Sequence, residues 1–281
     1  MFRILIEPST FEILPSQNHQ NPYIDVGFHA DKQKVKAHYA QFVKAFFCPI
    51  YKVALPKNVG HLPDIVFCAS AGLTLPRLSG PLVLLPNMKY AQRKAELPHI
   101  RKIFQELSIP TVDYPGKEPF EGQAELKWFD GGRKAILGYG YRSTKQTVQE
   151  LKGLFAKIYG KDAPQLLGLH IQSPKYYHLD LAMLEYSNKC IVHKDAFSKQ
   201  GFKQLRDFLG SDNVTIVNTS DSFGLNAIVE NSTLITHKLT DPSLLRFLEK
   251  TTGLSVVQVD TSEFEKSGGS VRCMAFDLTV L

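Results

Sequence analysis

The sequence predicts an α/β fold, specifically a five-bladed pseudosymmetric α/β propeller whose ring is closed by strands from the N- and C-terminal ends. Three observations predict it. Amphipathic helices recur at intervals on the order of fifty residues, the scale of structural repeats. Each helix is followed by a short apolar strand, then a polar loop, then a hairpin-like pair of strands. The fifth pair is split: VRCMAFDL near the C-terminus is free to pair with FRILIE near the N-terminus, which would close the ring and hide two sheet edges. An open three-layer α/β sandwich is the alternative the same elements allow.

Asp31 caps the first helix, whose apolar positions are Val35, Tyr39, Phe42, Val43 and Phe46. The second runs from Glu96 to Leu107, with Pro98 in its first turn and Ile100, Ile103, Phe104 and Leu107 on one face. The third begins at Ser143, with Gln146 completing a capping box, carries Val148, Leu151, Phe155 and Ile158, and stops at Gly160. The fourth covers Ala196 to Leu209 and stops at Gly210. The fifth takes Asp241 as N-cap and Pro242 at its first position, and ends before Gly253. The strands that follow the helices are YKVAL, IPTVDY, LLGLHI, VTIVNT and LSVVQVD. The hairpins are IVFCASAGLTL with PLVLLP, ELKWFDGGRKAILGY, LAMLEYSNKCIVH and AIVENSTLITH.

At 281 residues with 43% hydrophobic and 21% charged residues, the chain reads as one globular domain over residues 1–281 with a substantial core. The net charge of +6 is dispersed over helix faces; no Lys/Arg run interleaved with aromatics points to nucleic acid. Cys48, Cys68, Cys190 and Cys273 lie far apart, without metal-ligand or disulfide spacing, so no metal or cofactor is expected. The longest apolar stretch, PLVLLP, is too short to span a bilayer, and the N-terminus is too short in apolar length for a secretory signal. A reduced, cytoplasmic protein that is a monomer or homodimer follows as the default expectation.

In each repeat, the loop after the single strand carries a chemically capable residue: Asp64, Glu121, His178, Asn226 and Cys273. Pseudosymmetry brings these to one end of the propeller axis. Alone, each has a plain structural reading: a packed thiol, a hydrogen-bonded histidine, a loop acid, a turn residue. Together they form a polar centre that is costly to bury without a ligand or water. Cys273 is a candidate nucleophile at the opening of a strand behind Gly268-Gly269, His178 a proton shuttle, and Glu121 an acceptor for a planar cation such as a guanidinium.

The segment VDTSEFEKSGGSVRCMAF, the FEG at Phe120–Gly122, Arg142 in GYGYRST, His178-Leu179 and the Asn226 segment resemble, in order and spacing, the guanidine-modifying enzymes of the amidinotransferase (pentein) superfamily, and the dimethylarginine dimethylaminohydrolases in particular. The resemblance spans nearly the whole chain. It implies a five-bladed propeller and a hydrolase acting on C–N bonds of linear amidines. Cys273 would attack the guanidinium carbon to give a covalent thiouronium, with His178 protonating the departing amine and then activating water. Glu121 would hold the guanidinium nitrogens. Arg93 and Arg142 would grip the substrate carboxylate, and Asp180 matches an acid that relatives place on the guanidinium. Asn226, Ser70 and Glu125 complete the implied substrate-binding set. Ser70 departs from the Asp or Asn of many relatives, replacing a charged contact by a hydroxyl, and Glu125 stands where a shorter acid is usual. NPY at Asn21–Tyr23 lies in a long irregular segment readable as a lid.

The expected activity is hydrolysis of arginine or an N-methylated arginine to citrulline plus ammonia or methylamine. An amidinotransferase or an arginine dihydrolase would use the same intermediate. A non-catalytic propeller, like the ribosome anti-association factor of this fold, would have no need of the Cys–His–Glu set, and a papain-like thiol protease does not fit a fivefold repeat.

Overall fold

The computed structural model describes residues 2–13, 21–24, 27–56 and 59–278. Five three-stranded sheets form the blades. In chain order, β1 (Arg3–Ile6) leads through helix α1 (Lys32–Lys44) to its parallel partner β2 (Ile50–Val53). The second sheet comprises β3 (Leu73–Leu75), β4 (Leu82–Leu85) and β5 (Thr111–Asp113), with helices α2 (Ala91–Lys94) and α3 (Leu97–Glu106) between the last two. The third comprises β6 (Leu126–Phe129), β7 (Lys134–Tyr139) and β8 (Gln165–His170), with α4 (Lys145–Tyr159) as the crossover. A short α5 (Leu179–Ala182) opens the fourth, β9 (Met183–Tyr186), β10 (Lys189–His193), α6 (Lys199–Leu209) and β11 (Val214–Val217). The fifth is β12 (Ile228–Glu230), β13 (Thr233–His237), α7 (Pro242–Thr252) and β14 (Ser255–Val259). After α8 (Ser262–Glu265), the short β15 (Phe276–Asp277) pairs antiparallel with β1, through Arg3↔Asp277 and Ile4↔Phe276.

Every blade therefore has one pattern: an antiparallel pair, then a helical crossover to a strand parallel with the middle one. The crossover is what a parallel neighbour requires. The middle strand is shielded on both sides, and all four residues of β1 and all five of β13 are buried. The outer strand faces water more, as the pattern of β5 (one half-buried residue, then two exposed) shows. Buried side chains gather into separate clusters between each sheet and its neighbours, for example Leu73, Phe120, Leu137, Leu151 and Phe155.

The helix signals hold in detail at most termini. Asp31 accepts from the Gln33 and Lys34 amides, Asp241 from Ser243, and α7 ends at Gly253 with φ 71. The third helix is an exception. Its cap is Thr144, paired with Thr147 in the capping box, not Ser143 with Gln146. Ser143 is committed elsewhere: its amide and hydroxyl both donate to Glu125. The fourth helix starts at Lys199 behind the cap Ser198, three residues after the predicted Ala196, which is packed in the core instead.

Two strands are shorter than the sequence predicts. IVFCASAGLTL yields only Leu73–Leu75 as strand, because residues 68–71 coil into a 3-10 turn. VRCMAFDL yields only Phe276–Asp277, and Cys273 lies in the turn before the strand rather than at its start. The ring closure read from these segments stands, on a two-residue register.

Candidate active site

The site is built from tight turns that precede the first strand of each blade. They are the 3-10 turns Cys68–Ala71 and Gly122–Ala124, helix α5, and the turns at 222–225 and 271–274. Hydrogen bonds stitch them into a ring. The Ala69 amide donates to the Cys273 carbonyl, and the Gln123 amide to the Gly72 carbonyl. The Asn226 side chain donates to the Asp180 carbonyl, and the Arg272 amide donates to Asn226. The remaining junction, between the second and third turns, is the contact of His178 Nε2 with Glu121 Oε2 at 2.7 Å. The groups suited to chemistry thus also complete the ring.

Local sequence explains each placement. Gly122 adopts φ +64, and a Cβ there would lie 2.2 Å from the Gly72 carbonyl oxygen, so only glycine lets these two turns touch. Reciprocal backbone hydrogen bonds between Phe120 and Asn87 hold the approach to Glu121. Gly269 allows the nucleophile loop to press on the Phe67 ring, where a Cβ would come within 2.2 Å.

A cleft with about 580 Å³ of empty volume opens at this end. Cys273, His178, Arg93, Arg142, Ser70, Asp64, Tyr90 and Tyr177 all line it. Glu121 lies just beneath, fully buried, with Oε1 accepting from the Lys89 amide at 3.0 Å and Oε2 facing both His178 and Arg142 Nη1 (3.4 Å). Burial opposes its charge, but the Arg142 guanidinium and the His178 hydrogen bond outweigh it and hold the carboxyl well below the usual range. Arg142 is clamped between the rings of Tyr90 and Tyr177, each 4.7 Å from its guanidinium carbon. Arg93 is buried against Glu96, with Nη2 to Oε2 at 2.8 Å, and also donates to the Phe67 carbonyl.

The Cys273 thiol accepts from Asn226 Nδ2 at 3.2 Å and points its own proton toward Asp180 Oδ2 at 3.6 Å. Burial first, and the Asp180 carboxylate second, push it well up from the ordinary thiol range. Asp180 is itself raised by burial, and its Oδ1 has no hydrogen-bond partner. A buried, unpartnered carboxylate oxygen beside a protonated thiol is costly as it stands, and a cationic group at this spot would relieve both. Among the described residues, no group of three or more His, Cys, Asp or Glu is arranged to hold a metal ion.

The remaining expected residues divide. Ser70 faces the cleft from its 3-10 turn. Asn226 sits behind Cys273, its Oδ1 accepting from the Arg272 and Cys273 amides. Glu125 is behind Glu121, accepting from the Glu121 amide at 2.7 Å and from Ser143; burial and the neighbouring Glu121 charge raise its carboxyl to about 7. Asn21 lines the cleft mouth and donates to the Ser267 carbonyl, while Tyr23 rests on Phe223 and Tyr177. The rest of the segment read as a lid falls largely on residues 14–20, 25 and 26, outside the described residues.

Sequence reasoning missed the supports. Glu96, three residues after Arg93, was legible as an i,i+3 partner. Tyr177 precedes His178 directly but carried no signal of its stacking on Arg142, which comes from another blade.

Five blades of this topology, closed by the first and last described strands around a polar centre, define the pentein fold. The family described as N,N dimethylarginine dimethylhydrolase, eukaryotic, matches residues 8–280, and the chain belongs to it. It is 25% identical to the N(G),N(G)-dimethylarginine dimethylaminohydrolase of Mycobacterium tuberculosis, over 92% of this chain and 80% of that protein. It is 26% identical to the bifunctional arginine dihydrolase/ornithine cyclodeaminase ArgZ of Synechocystis, over 92% of this chain but only 35% of the longer protein. The crystal structure of the N-terminal domain of ArgZ bound to substrate superposes with TM-score 0.85 at 22% identity, covering 100% of this chain and 99% of that one. A dimethylarginine dimethylaminohydrolase adduct with S-methyl-L-thiocitrulline gives TM-score 0.74 at 19% identity, covering 98% of each chain. Among the described residues, no helix is long and apolar enough to cross a membrane.

Proposed function

We propose that residues 1–281 act as a single catalytic domain that hydrolyses the guanidino group of arginine or an N-methylated arginine, giving citrulline plus ammonia or methylamine. The observation that carries this reading is the unpartnered Asp180 oxygen beside the Cys273 thiol, buried next to a cleft that Cys273, His178 and two arginines line. The charges complement a guanidino amino acid. Glu121 and Asp180 suit the guanidinium, Arg93 and Arg142 the carboxylate, and Asp64 the ammonium group. Ser70 offers a neutral hydroxyl to the same substrate, and Asn226 and Glu125 hold the nucleophile and the Glu121 loop in place.

The thiol is protonated in the empty site and passes its proton to His178 when the cation arrives, because a positive charge beside Cys273 offsets the Asp180 carboxylate. The thiolate attacks the guanidinium carbon. His178, oriented by Glu121, passes a proton to the leaving nitrogen as the C–N bond breaks, which leaves an S-alkylthiouronium. His178 then takes a proton from water as the oxygen adds. Collapse breaks the C–S bond and returns the thiolate, with a ureido product. In the empty site Arg142 leans on Glu121. Substrate binding exchanges this internal pair for two intermolecular ones.

A second reading, an arginine dihydrolase that carries the product on to ornithine, draws on the 26% identity to the Synechocystis enzyme. One panel separates them: arginine, mono- and dimethylarginine and agmatine, with ureido product, released amine and ornithine each measured. An acceptor amine such as glycine in a parallel reaction tests for amidino transfer. Cys273→Ser is expected to lower turnover at least about a thousandfold with the fold retained by circular dichroism. Turnover surviving in that variant would overturn the mechanism.

A further inference from the structure

Outside the cleft lies a buried imidazole that the mechanism does not use. His237, the last residue of β13, is only 2% exposed. Its Nε2 meets Asp221 Oδ1 at 2.8 Å and its Nδ1 meets Glu265 Oε1 at 3.0 Å. The Phe223 ring, 6.1 Å away, packs beside it. The carboxylates come from two elements, the turn before β12 and the end of α8, and they are the charged groups that face the ring. Two carboxylates on two ring nitrogens call for two N–H donors, which only the imidazolium has.

Each carboxylate leads to one side of Cys273. Asp221 accepts from the Phe223 amide and, through Oδ2, from the Thr240 amide and hydroxyl, which fixes the turn that ends in Asn226. Asn226 in turn binds the Cys273 thiol and the Arg272 and Cys273 amides. On the other side, Glu265 accepts from the Thr261 and Ser270 hydroxyls, and Ser270 accepts the Met274 amide through its carbonyl.

We propose that His237, as an imidazolium bridging Asp221 and Glu265, is a positioning residue that clamps the two loops holding Cys273, so that turnover depends on its protonation. The inference rests on Cys273 being the nucleophile. The carboxylate contacts raise His237 to about 9 against the desolvation of its burial, so the clamp is closed at neutral pH and opens as pH rises through that value. A neutral ring keeps one N–H and must give up its hydrogen bond to one of the two carboxylates.

The test uses the full chain with His237→Gln, Glu265→Gln and Cys273→Ser, measuring kcat and KM for the best substrate of the panel between about pH 6.5 and 10. His237→Gln is expected to lower kcat at least about tenfold at neutral pH, with KM within about threefold. The gap to the native protein should narrow above pH 9 as the native clamp opens. Glu265→Gln offers Nδ1 an amide donor, so a neutral ring is satisfied on both sides; this variant is expected to keep kcat within about threefold and to lose less activity than the native protein above pH 9. The inference is overturned if His237→Gln keeps native kcat, or if its deficit is the same at every pH. Should His237→Gln not fold, the alkaline profile of Glu265→Gln decides, and a native profile there overturns the clamp. Turnover in Cys273→Ser would instead sink the nucleophile assignment, whereas an inactive Cys273→Ser beside a native-like His237→Gln would sink the clamp alone.

Discussion

Arg142 shows how much of the site is decided by single side chains. It is held between two tyrosine rings and reaches Glu121, so its position is fixed before any ligand binds. A preformed guanidinium binds a carboxylate with little ordering cost. If it serves the substrate carboxylate, Arg142→Ala should lower kcat/KM for the arginine-type substrate by about a hundredfold or more while agmatine, which has no carboxylate, changes far less. Steady-state kinetics on the two compounds checks this, and equal losses would contradict the role. The reactive types Cys273, His178 and Glu121 were readable in the sequence because each occupies the same point of a repeat. Tyr90 and Tyr177 were not, since a side chain that acts by packing on a residue from another blade leaves no periodic trace.

Among the elements, the helices were the most legible. Their caps are local interactions within a few residues, and Asp31, Gly210, Asp241 and Gly253 act within their own helix ends. The turns around the axis were illegible for the opposite reason. VFCAS and VRCMA have strand-like composition, yet their backbone bonds go to other turns: the Ala69 amide to Cys273, the Arg272 amide to Asn226. Tertiary contact overrides β propensity there. These turns are also where substitution is least tolerated. Gly122→Ala would place a methyl group against the Gly72 carbonyl at positive φ. It is expected to cost about 2–4 kcal/mol and lower the Tm by several degrees. Gly153→Ala is the control, because it meets nothing within 4 Å in the middle of α4. Thermal denaturation of the pair reads the difference.

At the scale of the molecule, stability depends on closing the ring. Arg3, only 1% exposed, ties β1 both to its own closing strand and to the fifth blade: its Nε donates to Asp277 at 2.7 Å and its Nη1 to Glu230. Glu230 also receives the Phe47 and Cys48 amides. Removing the guanidinium leaves that carboxylate buried without its counter-charge. Arg3→Ala is therefore expected to cost about 3–5 kcal/mol, seen as a lower urea midpoint, although no atom of Arg3 reaches the cleft.

The turn that carries Cys273 and the strand after it are the last of the described elements, yet they dock beside residues 3 and 4. During synthesis, four blades can acquire their helices and sheets while the first still waits for its third strand. Until residues 273–277 have left the ribosome, an incomplete chain contains His178 and Glu121 but lacks Cys273, the proposed nucleophile. On the proposed mechanism, closing the first blade and supplying the nucleophile are one event, and a molecule cut before residue 273 is expected to lack turnover.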